Sequence, residues 1–134
     1  MPEKKTIRRA QKKKRAGKAP TTQAGEFVRE ELHHVREGKH GARSTKQAIA
    51  IGLSKARRAG VNLKPPAKGQ TSERTRRSAE RAYHKGQSER PQTLSPRRSR
   101  ATLGALKREG RSAASTKALS KQARQTARRR RART

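Results

Sequence analysis

The sequence predicts an all-α protein: a short helical hairpin with isolated basic helices and disordered basic tails. Three observations carry that expectation. Lys and Arg number 39 against nine acids, all of them Glu, for a formal charge of +30, while apolar residues are 27% of the 134 and the aromatics are Phe27 and Tyr83 alone. Low hydrophobicity with high net charge leaves too little apolar area to offset the ordering entropy of a large globule. Against that background, residues 21–63 alone combine helical apolar spacing with cap and stop residues.

Residues 1–20 read as a disordered Lys-rich arm ended by Pro20. Ile7 is its only sizeable apolar residue, too little for the amphipathic helix of a transit peptide, and no apolar run suggests a signal peptide. From Gly25 the character changes. Glu26 to Glu37 holds four Glu and two Arg, and Val28, Leu32 and Val35 recur at i, i+4, i+7 beside Phe27, one face of an amphipathic helix that Gly38 stops. Ser44-Thr45-Lys46-Gln47 reads as a capping box, so a second helix begins at Thr45. Ile49, Gly52, Leu53 and Ala56 form its buried stripe, Ile51 widens it, and Gly60 with Val61 suits a stop in which Val61 folds back on Ala56.

The short Lys39–Arg43 loop makes this pair an antiparallel hairpin. So small a unit is expected to form a homodimer, to recruit Leu63 or a later helix, or to be only marginally stable alone. Residues 64–71, with Pro65, Pro66 and Gly69, read as a semi-rigid linker.

The remainder, 72–134, is a set of Arg-rich helical segments and a basic tail. From Ala67 onward there are 16 Arg and 5 Lys, against 8 Arg and 10 Lys before it, and Arg is the better bidentate phosphate ligand. Ser72 to Lys85, stopped at Gly86, sets Arg74, Arg77, Arg81 and Lys85 along one side, with Thr75, Ala79, Ala82 and Tyr83 opposite. Residues 87–94 read as linker. Ser95-Pro96 then caps a segment containing Leu103 and Leu106 that stops at Gly110. Thr116 to about Arg131 aligns Lys117, Lys121, Arg124, Arg128 and Arg131 in one cationic stripe beside a thin edge of Leu119, Ala123 and Ala127. Repulsion along that stripe predicts a helix that orders on binding phosphate. Arg36-Glu37-Gly38 followed by Ser44-Thr45-Lys46 is echoed by Arg108-Glu109-Gly110 followed by Ser115-Thr116-Lys117, which suggests two related hairpins or coincidence in a chain of few residue types.

Several chemistries find no support. With no Cys there is neither a disulfide nor a Cys-based metal site. His33 and His34 are adjacent, so on a helix they point about 100° apart and do not converge on one ion. Glu30 with His34 and His33 with Glu37 read instead as i,i+4 surface pairs. No metal, cofactor or catalytic residue is expected. The Gly38–Ser44 loop lacks a Walker signature and reads either as a phosphate-holding turn, with His40, Arg43 and Lys46 adding charge, or as an ordinary capped turn. No apolar run approaches the roughly 20 residues of a membrane span, and no membrane partner is expected.

Ser95-Pro96-Arg97-Arg98 resembles the Ser-Pro-basic-basic motif of histone tails, which implies minor-groove contact; the same Ser and Pro also suit a helix start. Gly25-Glu26-Phe27-Val28-Arg29-Glu30-Glu31, Arg36-Glu37-Gly38-Lys39-His40-Gly41 and the run from Ser44 to Gly60, with parts of Ser99–Arg111 and Ser120–Arg124, resemble a family of small, highly basic bacterial proteins of unknown function. The resemblance implies a bacterial, cytoplasmic setting and brings no assigned activity.

The expected function is therefore non-enzymatic and mainly sequence-nonspecific: a histone-like, nucleoid-associated binder of duplex DNA that neutralises phosphates. Arg43, Lys46, Arg74, Arg77, Arg81, Lys85, Arg97, Arg98, Lys117, Lys121, Arg124, Arg128 and Arg131 are the expected contacts. With almost no aromatics to stack on bases, duplex is favoured over single strands. RNA or ribosome association is the alternative, and a protein-interaction module centred on the 21–63 hairpin, whose acidic first helix could dock a basic partner or a second copy, is another.

Overall fold

A computed structural model describes residues 2–88 and 95–133. Among them are six α-helices, α1 (Lys4–Arg15), α2 (Pro20–Glu37), α3 (Thr45–Arg58), α4 (Glu73–Gln87), α5 (Pro96–Lys107) and α6 (Thr116–Arg133), with one 3-10 turn at Ser112–Ala114 and no strand. The all-α expectation holds. No described helix is long and apolar enough to cross a membrane. The chain falls into two compact units, the described parts of Met1–Glu30 with Ala50–Thr93 and of Glu31–Ile49 with Leu94–Thr134. Continuous α2 and α3 thus contribute one end to each unit, and these bounds cut across the expected division at residues 20, 63 and 71.

The first unit has a core of Ala10, Ala24, Phe27, Ala56 and Val61, with Ile7, Leu53 and Leu63 packed against it. Here the structure differs from the expected disordered arm over 1–20, since α1 occupies most of it and buries Thr6 and Ala10. Small side chains let the helix approach closely where apolar bulk is lacking. Its basic last turn, Lys12 to Arg15, complements the negative end of the helix dipole, and Lys13 Nζ lies 2.6 Å from a buried Glu26 carboxylate. Pro20 starts α2 rather than ending an arm, a first-turn position where its missing N–H leaves no bond unmade.

The stops at Gly38 and Gly60 are as the sequence implied. Gly38 takes a φ of +79°, with its N–H donated to the Val35 carbonyl and that of Lys39 to His34. Gly60, at φ +98°, does the same with Arg57, while Val61 donates to Ala56. In both, the left-handed residue satisfies carbonyls the helix would otherwise leave bare. Val61 and Ala56 share the first core, so the fold-back read from the sequence is present. Buried Arg57 ties down the chain beyond, donating from Nε to the Leu63 carbonyl at 3.1 Å and from Nη2 to that of Lys64 at 3.3 Å. Burial lowers its pKa from the ordinary arginine value.

Ser72 caps α4, accepting from the Thr75 N–H. Gly86 is not a stop: α4 continues through it to Gln87, and a Cβ there would overlap the Arg57 carbonyl oxygen. The glycine allows backbone to meet backbone. Tyr83 donates its hydroxyl to Asn62 Oδ1 at 2.7 Å and Gln87 donates to the Gly60 carbonyl at 3.3 Å, fixing the end of α4. The expected linker over 64–71 holds a turn in which Gln70 N–H donates to Ala67 and Gly69 takes φ +91°; that over 87–94 lies mostly outside the described residues.

The second unit has its own core, Val35, Ala42, Ala48, Ala113 and Ala114, with Leu32 against it. Its centre is the α2–α3 turn meeting the α5–α6 turn. Gly41 N–H donates to the Leu106 carbonyl at 2.7 Å, Ala42 N–H to Gly110 at 3.0 Å, and Arg36 Nε to Ala114 at 3.0 Å. The Thr45 hydroxyl donates to Ala113 and Arg111 Nη1 to Arg36 at 3.4 Å. A Cβ on Gly41 would overlap the Glu109 carbonyl oxygen, so only glycine permits this approach. The sequence echo has a local counterpart: Ser44 Oγ accepts from the Gln47 N–H and Ser115 Oγ from the Ala118 N–H, both at 3.1 Å. Gln47, expected to reach back to Ser44, instead accepts from the Arg43 N–H.

Candidate functional site

The cationic residues separate into structural and outward-facing sets. Arg36, Arg57 and Arg111 hold backbone carbonyls, and Arg76 binds Glu73 and Glu80, each at 2.9 Å. Every candidate contact of the sequence reading, by contrast, is exposed: Arg43, Lys46, Arg74, Arg77, Arg81, Lys85, Arg97, Arg98, Lys117, Lys121, Arg124, Arg128 and Arg131.

In the first unit, α4 sets Arg74, Arg77, Arg81 and Lys85 on one face at intervals of three and four residues, while Ala79 and Ala82 are buried on the other. Its two acids lie beside that row and are drawn to Arg76, although Glu73 also comes within 3.8 Å of Arg77. The Arg76 hydrogen bonds hold the Glu73 carboxyl below its ordinary pKa of 4.5 and raise that of Arg76 in return.

In the second unit, α6 carries the longer stripe. Lys117, Lys121, Arg124, Arg128 and Arg131 are exposed along one side, over about 21 Å at 1.5 Å per residue. The opposite side faces α3: Leu119, Gln122, Ala123, Thr126, Ala127 and Arg130 line a shallow groove with Thr45 and Ile49. The five-residue stripe therefore lies on the side of α6 away from that groove, although Arg130 lines the groove itself. Arg97 and Arg98 occupy the first turn of α5, whose Ser95 hydroxyl accepts from the Arg98 N–H at 3.4 Å and whose first residue is Pro96. That is the helix-start use of the motif. Arg43 and Lys46 flank the start of α3 in the same unit.

The Gly38–Ser44 loop behaves as a docking turn. Two of its backbone donors, those of Gly41 and Ala42, are occupied by the 106–110 segment, and both residues are buried. A phosphate finds few inward donors left there.

The Glu residues of α2 have partners that their sequence positions do not announce. Glu26, Glu30 and Glu31 are buried: Glu26 takes Lys13, Glu30 accepts the Glu3 N–H at 2.7 Å, and Glu31 Oε2 lies 3.2 Å from His40 Nε2. Glu37 pairs with His33 at 2.7 Å, as the i,i+4 spacing indicated, and with Lys39 at 3.5 Å. Much of the acidic segment is thus engaged internally, leaving the outward surface richer in positive charge than the net value suggests. No signal in the sequence distinguished these acids from a solvated face except their coincidence with the apolar positions of α2.

Residues 11–69 match a family of unknown function (DUF6496). The matched span takes in the last five residues of α1, all of α2 and α3, and the chain beyond them to Gly69. No curated protein and no solved structure matches the chain.

Proposed function

We propose that this is a non-enzymatic, mainly sequence-nonspecific nucleic-acid binder, acting on duplex DNA by phosphate neutralisation in the manner of a histone-like, nucleoid-associated protein. The observation that carries the reading is the α6 stripe: five exposed cations in line, backed by a face turned toward α3. Such a row releases counterions along a phosphate backbone whatever the base sequence. The α4 row, a second exposed row of four, supplies the same chemistry in the first unit. Phe27 is buried and Tyr83 is tied to Asn62, so neither aromatic offers a stacking platform for splayed bases. This favours duplex over single strands.

A competition mobility shift of the full chain between duplex DNA and structured RNA, across a salt series, tests the proposal. Engagement of six to ten phosphates predicts a loss of roughly a thousandfold or more in affinity between 50 and 200 mM salt, with duplex DNA the stronger competitor. Preference for RNA would move the protein toward ribosome association, and weak, salt-insensitive binding to both would overturn the reading.

A further inference from the structure

Glu31 and His34 stand three residues apart on α2 and so share a face. After Gly38 ends that helix, the turn brings His40 back to them. One ligand atom from each residue lies within 4.8 Å of the other two. Glu31 and His40 are buried, at 0% and 8% exposure, and the two imidazoles meet edge to face with centroids 5.9 Å apart.

The hydrogen bonding of His40 assigns its ligand atom. Nδ1 lies 2.9 Å from the Gly41 carbonyl oxygen, which only accepts, so Nδ1 carries the proton. Nε2 is left to face Glu31 Oε2 at 3.2 Å. A tetrahedral zinc ion with bonds of about 2.0 to 2.1 Å sets its ligand atoms about 3.3 Å apart, so this pair already stands at coordinating separation. A ligating histidine that donates its other ring N–H to a backbone carbonyl is the usual arrangement for fixing ring orientation. His34, half-buried at the rim, needs only to close in. His33, the neighbour of His34 on α2, points elsewhere, to Glu37.

From this geometry we propose that Glu31, His34 and His40 bind one divalent transition-metal ion, with zinc the best match to two imidazoles and a carboxylate. The ion completes a clasp between α2 and its turn, and water takes the fourth position. Because Gly41 and Ala42 in that turn donate to Leu106 and Gly110, the clasp supports the docking of the α5–α6 turn in the second unit.

The test uses the full untagged chain, stripped with a chelator and titrated with zinc chloride by calorimetry in competition with a chelating dye. One zinc per chain at sub-micromolar affinity is expected, with a rise in thermal midpoint. His34→Gln and His40→Gln should each weaken binding at least tenfold, whereas His33→Gln should leave it unchanged. X-ray absorption on the zinc complex should show two imidazoles and oxygen ligands. Should His40→Gln fail to fold, the partly exposed His34→Gln decides. No stoichiometric uptake by the wild-type chain, uptake insensitive to His34→Gln, or equal sensitivity to His33→Gln would overturn the proposal, leaving Glu31 and His40 as a buried contact between helix and turn.

Discussion

Replacing Lys121, Arg124 and Arg128 together by Gln removes three of the five cations on the α6 stripe without touching Leu119, Ala123, Thr126 or Ala127, which face α3. Gln is a good helix former, so the perturbation is one of charge rather than of fold. Each phosphate contact contributes about 0.9 to the slope of log affinity against log salt on duplex DNA. Losing three lowers the slope by about 2.7, whatever the rest of the chain contributes. Over the fourfold change from 50 to 200 mM, the loss of affinity should then be about 40-fold smaller in the variant than in wild type. Fluorescence anisotropy on a labelled 20-base-pair duplex of about 68 Å, with circular dichroism as the fold control, reads both quantities. A variant with unchanged helicity and an unchanged slope would refute the assignment of these three residues to phosphate.

The packing makes its own predictions. Phe27→Ala empties the largest side chain of the first core and should cost about 3 to 5 kcal/mol in chemical unfolding, enough to lose cooperative melting. Gly41→Ala forces the turn away from Glu109 and disrupts the Leu106 and Gly110 hydrogen bonds; a loss of about 2 kcal/mol is expected, with hydrogen exchange rising first at residues 41–42. Ser115→Ala removes the α6 cap at about 1 kcal/mol, read as faster exchange in its first turn. The folded pKa of Glu73 is depressed by Arg76, so its stabilisation of α4 is present above the ordinary value of 4.5 and fades as pH falls through the folded one; Glu73→Gln should abolish that part of the acid transition, followed by NMR at α4 amides.

Where the sequence was legible, the local chemistry was strong and unshared. Gly38, Gly60, Ser44, Ser72 and Ser95-Pro96 mark helix ends through backbone geometry and hydrogen bonding within a few residues, so they need no tertiary information. The stripes of α4 and α6 follow from helical period alone. What stayed hidden depends on contacts distant in sequence. Order in α1 rests on Ala10 reaching Phe27's core and Lys13 reaching Glu26, and nothing in a Lys-rich run announces either. Gly86 looked like a stop because glycine usually is one; its purpose is room for the Arg57 carbonyl. His40 looked like loop charge, but the turn carries it back against Glu31, a partner nine residues earlier. The hairpin, expected to need a second copy or a later segment, has its apolar faces covered by α1, by Leu63 and by the 113–114 turn within the respective units.

Contact of the exposed faces of α4 and α6 with phosphate can be followed through backbone amide resonances while a short DNA duplex is titrated into the isotopically labelled full chain. The largest changes are expected over residues 74–85 and 117–131, with little change around Ala10, Ala24 and Phe27, and with collapse of the changes at high salt. Changes absent from both rows, or changes that survive at about 0.5 M salt, where the screening length falls to about 4 Å, would contradict it.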